Sequence, residues 1–263
     1  MKRYILSLFI VVLSVSSVFA EIVTKDVDYK SGDTKLKGYI AYDNAKEGKR
    51  PGVIVVHEWW GLNDYSRSRA KQLAELGYVG LAIDMYGDGK MAEHPDNAAK
   101  FMNEALSNME TFQKRFEAGV ELLKSQPQTD PEHIAAIGYC FGGKTVLEMA
   151  RAGEDLDAVV SFHGILATEN PAKKETVKAK ILAFNGGDDP FVPQEQIDGF
   201  KKEMQESGVD YTFVVYPGVK HSFTNPGATE VGKKYDLPLV YDEEADKASW
   251  VQTQKFLKEV FSE

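Results

Sequence analysis

Apolar residues are unevenly spread along this chain. They gather into short, nearly continuous runs rich in β-branched residues, at 52–57, 79–84, 134–139, 158–162, 179–185 and 211–216. A strand with one wet face would alternate apolar and polar residues. Continuous runs instead predict strands buried on both faces, as in a parallel sheet. Between them the spacing becomes helical. Segment 66–77 places Ala70, Leu73, Ala74 and Gly77 at helical intervals and ends on a glycine stop signal. Segment 96–124 reads as a longer helical stretch with a break near Ser107, and 143–151, 193–207 and 243–261 complete the set. Segment 24–42 reads as an antiparallel hairpin around Ser31-Gly32-Asp33. Strands alternating with helices predict right-handed crossovers and a doubly wound α/β sheet, mostly parallel and flanked by helices. In such sheets, sites form beyond the carboxyl ends of the strands.

The first twenty residues follow another pattern. Lys2 and Arg3 precede an apolar run from Ile5 to Leu13, and Val18-Phe19-Ala20 offers small residues where a signal peptidase cuts. This order predicts a secretory signal over 1–20, cleavage after Ala20 and a globular domain over 21–263. About fifteen apolar residues are short for a bilayer span, so no stable membrane anchor is expected after cleavage, and the localisation read from this is periplasmic or secreted.

Composition narrows the function. Of the 263 residues 43% are hydrophobic and 27% charged, an ordinary globular balance with material for one large core. The net charge of −9 becomes −11 once the two basic residues of the signal are removed, and no basic stretch remains. Nucleic acid and anionic membrane are therefore not expected as partners. There is one cysteine, Cys140, so no intramolecular disulfide can form. A single thiol in an oxidising compartment is either buried and inert or kept for its chemistry.

Its surroundings favour chemistry. Gly138-Tyr139-Cys140-Phe141-Gly142-Gly143 joins the strand predicted over 134–139 to the helix predicted from 143. This is a nucleophile elbow, G-x-S-x-G, with cysteine in place of serine, and it points to an α/β-hydrolase fold. Glycines are needed because the sharp turn brings neighbouring backbone close. A helix amino terminus also favours a thiolate, and the Phe141 backbone N–H would be one oxyanion donor. In this fold the acid and then the base follow the nucleophile along the chain. Asp188 and Asp189 lie just past the run at 179–185, and His221 lies just past the run at 211–216. His94 and His133 sit in polar segments and read as solvated. His163, after a strand, reads as a hydrogen-bonded packing residue or as part of a pocket wall. The loop His57-Glu58-Trp59-Trp60-Gly61-Leu62-Asn63 would supply the second oxyanion N–H, from Trp59, and would point Glu58 into the same crevice. Trp60, Tyr86 and Phe223 are expected to line the substrate pocket.

From about Tyr29 to the last helix, the chain resembles the dienelactone hydrolase family, the carboxymethylenebutenolidases. The motifs that carry the resemblance are Glu58-Trp59-Trp60-Gly61-Leu62-Asn63, Gly-Tyr-Cys-Phe-Gly-Gly, Asp189-Pro190-Phe191-Val192-Pro193 and His221-Ser222-Phe223. The resemblance implies that Cys140 is the nucleophile, His221 the general base and Asp189, rather than Asp188, the residue that orients it. It implies that Glu58 meets the thiol in the resting enzyme, and that neither a metal nor an organic cofactor takes part. The partner is then a small-molecule ester or lactone, with a thioesterase as the alternative and a non-catalytic binding protein as a lesser one. Two positions depart from the family pattern. Arginines that hold the carboxylate of dienelactone are missing after Asp84-Met85-Tyr86 and at Asn225, which points away from dienelactone as substrate. The short segment between Cys140 and Asp189 leaves no room for a large lid.

Overall fold

The computed structural model describes residues 21–262; the signal expected over 1–20 lies outside them. Three strands follow the opening residue: β1 (Ile22–Ser31), β2 (Thr34–Asp43) and β3 (Arg50–Val56). Then α1 (Asp64–Glu75), β4 (Val79–Ile83), α2 (Pro95–Leu106), α3 (Met109–Lys124), β5 (Thr129–Tyr139), α4 (Phe141–Ala152) and β6 (Ala158–Phe162) build the centre. The chain closes with β7 (Lys180–Gly186), α5 (Gln194–Ser207), β8 (Tyr211–Tyr216), α6 (Ala228–Tyr235) and α7 (Glu243–Val260).

The strands form one sheet in the order β1-β2-β4-β3-β5-β6-β7-β8. β1 and β2 pair as an antiparallel hairpin, β2 pairs antiparallel with β4, and all pairs from β4 to β8 are parallel. Helices cover both faces. In β3, Ile54 and Val56 join a core that includes Phe112 and Phe116 of α3, Val146 of α4 and Phe200 of α5. Their neighbours Val53 and Val55 turn to the other core, with Leu73 of α1 and Leu257 of α7. Alternate residues go to opposite faces, both of them dry, which explains the unbroken apolar runs.

The anticipated elements form, with shifted ends. α1 starts two residues earlier than its spacing predicted, because Asn63 caps it by accepting from the Tyr65 and Ser66 N–H groups. The expected break near Ser107 separates α2 from α3, and Asn108 caps the second helix. α4 begins at Phe141 rather than 143, since the Cys140 carbonyl already accepts the Lys144 N–H at 3.1 Å. β5 begins at Thr129, ahead of the apolar run, and reaches Ile134 through an irregularity opposite Pro51/Gly52. α6 is an element that the hydrophobic pattern did not announce. It has two turns and only Ala228 and Gly232 buried.

One buried charge fastens α1 to the carboxyl-terminal part. Arg69 donates to Asp246 of α7 at 2.5 Å and to the Thr224 carbonyl at 2.8 Å, and its guanidinium lies near the rings of Tyr65, Tyr139 and Trp250. Removing one partner of such a pair leaves the other charge desolvated and alone. Arg69→Met should therefore lower unfolding stability by about 3–5 kcal/mol, read from the urea midpoint at an unchanged slope.

Candidate active site

The parallel strands deliver side chains to one edge of the sheet. Glu58 follows β3, Tyr86 follows β4, Cys140 follows β5, His163 follows β6, Asp189 follows β7 and His221 follows β8. This is the carboxyl edge, where open α/β sheets keep their sites.

Cys140 occupies the turn between β5 and α4 at φ 55°, ψ −113°, a left-handed conformation that costs a non-glycine residue roughly 1–3 kcal/mol. The turn is crowded. A Cβ on Gly138 would strike the Gly142 carbonyl, and one on Gly142 would strike the carbonyl of Val56. Cys140 is half-buried and is the one cysteine, unpaired.

The His221 imidazole is buried, with Nδ1 2.7 Å from Asp189 Oδ2, and the Cys140 sulfur is near enough to act on its charge. Burial alone would pull its pKa down. The Cys140 sulfur and the Asp189 carboxylate outweigh burial and hold the pKa at about 10. The His221 backbone is fixed as well, since its carbonyl accepts the Val240 N–H at 3.1 Å. Of the two adjacent aspartates, the structure brings Asp189 to the imidazole. Asp188 is exposed.

Glu58 is buried, and its carboxylate accepts from Ser222 Oγ at 2.9 Å and from Asn225 Nδ2 at 2.6 Å. Burial raises its pKa; the bonds from Asn225 and Ser222 and the charges of His221 and Arg69 oppose that rise. The resemblance puts this carboxylate against the thiol, whereas here its hydrogen bonds go to Ser222 and Asn225. The same loop contains a device invisible in the sequence. His57 Nδ1 lies 2.5 Å from the Glu58 carbonyl oxygen, which can only accept, so the ring proton is on Nδ1. Nε2 then accepts the Met85 N–H at 3.2 Å, and burial keeps this imidazole neutral by pulling its pKa down. The Glu58 carbonyl also accepts the Gly61 N–H at 3.2 Å. These bonds set the plane of the Glu58–Trp59 peptide and leave the Trp59 N–H on its opposite edge. Among the described residues, neither the Trp59 nor the Phe141 N–H has an acceptor.

The expected pocket residues divide. Tyr86 is nearly buried: its hydroxyl donates to the Trp59 carbonyl at 2.9 Å and its ring packs on His57 and Phe141. Trp60 lines a cavity of about 410 Å³ together with Tyr65, Asn225, Val231 and Tyr235. Phe223 is a correction. It is fully buried between the rings of His163 and Tyr216, because Ser222 before it turns at φ 57° and sends it into the core. His94 and His133 are exposed. His163, treated in the sequence as a packing or wall residue, is fully buried and accepts the Cys140 N–H at 3.0 Å. No group of three His, Cys, Asp or Glu side chains among the described residues is placed to hold a metal ion.

A family model for the dienelactone hydrolase family matches residues 36–261. The chain belongs to the dienelactone hydrolase family. Membership makes it an enzyme, a dienelactone hydrolase-like carboxylic ester or lactone hydrolase. Protein usf of Aquifex pyrophilus is 35% identical over 239 residues, covering 89% of this chain and 97% of that protein. A candidate carboxymethylenebutenolidase of Aquifex aeolicus (strain VF5) is 31% identical, covering 88% and 96%. Among solved structures, a dienelactone hydrolase-like promiscuous phosphotriesterase from metagenomic libraries superposes with a TM-score of 0.83 at 33% identity, covering 92% of this chain and 99% of that one.

The raised His221 pKa has a readable consequence. A histidine raised from 6.5 to about 10 on folding contributes stability in full below pH 6.5, and that contribution is lost as the pH rises through about 10. The His221 imidazolium should accordingly persist through neutral pH in an NMR titration and deprotonate near 10. Asp189→Asn should bring that midpoint down and flatten the fall in stability over the same window.

Proposed function

We propose that this hydrolase cleaves small esters or lactones with Cys140 as nucleophile, through a thioester acyl-enzyme. The observation that carries this reading is the contiguous set of Cys140 at φ 55°, His221 close enough for the Cys140 sulfur to raise its pKa, and the 2.7 Å contact from His221 to Asp189. In the first step the Cys140 thiolate attacks the substrate carbonyl carbon, and the carbonyl electron pair moves onto oxygen. The free N–H groups of Trp59 and Phe141 receive that oxyanion. As the tetrahedral species collapses, the carbon–oxygen bond of the leaving alkoxide breaks and the His221 imidazolium supplies its proton. In the second step, neutral His221 takes a proton from water, and the hydroxide attacks the thioester carbonyl. The thiolate leaves and the carboxylic acid is released. Asp189 keeps the imidazole in register and stabilises its charged form in both steps.

Small substrates fit the surroundings. Among the described residues, the connection from β6 to β7 contains no helix. The cavity bordered by Trp60 adjoins Asn225, which itself bonds Glu58, and would take an acyl or alcohol part of modest size. Asn225 stands where family members that act on dienelactone have an arginine, which supports a substrate other than dienelactone. We also propose export with cleavage after Ala20, on the order of Lys2-Arg3, the apolar run from Ile5 to Leu13 and Val18-Phe19-Ala20.

Purified protein from Glu21 onward, assayed on aryl esters, thioesters, lactones including dienelactone, and an aryl phosphotriester, should turn over at least one panel member. In Cys140→Ala that turnover should fall by more than about a hundredfold, the cost of losing a single oxyanion donor. Wild-type rates in Cys140→Ala across the panel would refute the cysteine mechanism. Turnover of a thioester alone would move the assignment to a thioesterase.

A further inference from the structure

Beneath the elbow runs a buried polar chain that the proposed reaction does not use. His163, Thr224 and Tyr139 are wholly buried, and His163 itself sits at φ 43° directly after β6. The Cys140 backbone N–H, a donor that cannot change its role, points at the Phe162 carbonyl and at His163 Nδ1, each 3.0 Å away. Nδ1 must therefore be the acceptor nitrogen, and in the neutral ring the proton resides on Nε2. Nε2 lies 2.8 Å from Thr224 Oγ1, which is 2.6 Å from the Tyr65 hydroxyl. Tyr65 in turn accepts from Arg69 Nε at 3.3 Å, and Arg69 is held by Asp246. The chain thus leads from the backbone of the nucleophile to the buried ion pair between α1 and α7. The His163 ring also meets the His221 ring edge-on at 5.1 Å, so it is the floor on which the imidazole rests.

We infer that His163 is a positioning residue: as the neutral Nε2–H tautomer it anchors the Cys140 amide, maintaining the left-handed turn that directs the thiol to His221. The inference rests on Cys140 being the nucleophile. Both charged side chains facing the ring, His221 and Arg69, are cations. Burial first, and then those two charges, push the His163 pKa well below the ordinary histidine range. A protonated His163 would have no lone pair for the Cys140 N–H and would lose the anchor. The outer members also have a reason to be polar. A buried Nε2–H without Thr224 would be an unpaired donor, and the ring would be free to flip to the other tautomer.

Two substitutions separate an acceptor from mere volume. His163→Asn keeps an oxygen near the place of Nδ1, and His163→Leu fills similar space without an acceptor. On the best ester, His163→Leu should lower kcat by about tenfold or more with little change in KM, the expected result of misaligning a reacting group. His163→Asn should recover most of that loss. Alkylation of Cys140 by iodoacetamide needs no substrate turnover and should follow the same order between pH 6 and 9, slow in His163→Leu and restored in His163→Asn. Equal behaviour of the two variants, whether both active or both impaired, would overturn the inference. The ¹⁵N imidazole resonances of the unmutated protein give a test that no folding defect can spoil: an Nε2–H tautomer across pH 6–9 is expected, and an Nδ1–H tautomer or an imidazolium at neutral pH would sink the idea. If no ester, thioester or lactone is turned over, alkylation and NMR still decide the role of His163 separately from the reaction.

Discussion

The backbone at Cys140 is the constraint around which the rest is arranged. A side chain held at φ 55° at a strand end is unfavourable in isolation and persists only where the surroundings over-determine it. Here they do so on every side. β5 is locked between β3 and β6, its last residues Ile134–Tyr139 are buried, and α4 leaves the turn at once because the Cys140 carbonyl opens its hydrogen-bond ladder. Gly138, Gly142 and Gly143 are the condition for this: added side chains would meet backbone of β3, of the turn itself, or of the segment after β6. The cost of the turn is thus offset by a large buried sheet, and the return is a thiol raised above the carboxyl edge with an unpaired N–H beside it.

The same edge illustrates how burial divides labour between titratable groups. Three buried histidines lie within the loops after β3, β6 and β8, and each is set differently by what it touches. His57 and His163 are pushed down by desolvation and face backbone groups that dictate opposite tautomers, a carbonyl for Nδ1 of His57 and an amide for Nδ1 of His163. His221 is equally buried, but the sulfur and carboxylate beside it reverse the sign. One residue type thereby takes three different settings at one edge of the sheet. Glu58 is a further buried titratable group, and its carboxylate bonds Ser222 and Asn225, so the loops after β3 and β8 are tied through it.

Much of this was legible before any coordinates. Continuous apolar runs report strands buried on both faces, and the switch from that pattern to helical spacing reports crossovers, since both are local consequences of backbone geometry. The glycines flanking Cys140 mark a close approach of backbone, and the chain order of Cys140, Asp189 and His221 follows from where successive strands end. These are properties of short windows, and short windows are what a single sequence displays.

Other features required the folded chain, because they depend on residues far apart in sequence. Asp188 and Asp189 are alike in local spacing, so that the family resemblance alone favoured Asp189; the turn after β7 gives the physical reason, placing Asp189 against His221 and leaving Asp188 exposed. Glu58 meets Asn225 across 167 residues, and Tyr65 meets Thr224 across 159, pairings that no local spacing encodes. Phe223 was expected to line the pocket, yet it follows the positive φ at Ser222 and is fully buried. α6 escaped notice because its 8 residues fall short of the window of about 11–18 residues over which helical periodicity can be read. The sequence by itself therefore determined the layers, the elbow and the order of the reactive groups. Tertiary structure alone decided which buried atom each of those groups faces, and so which tautomer, charge and partner it has.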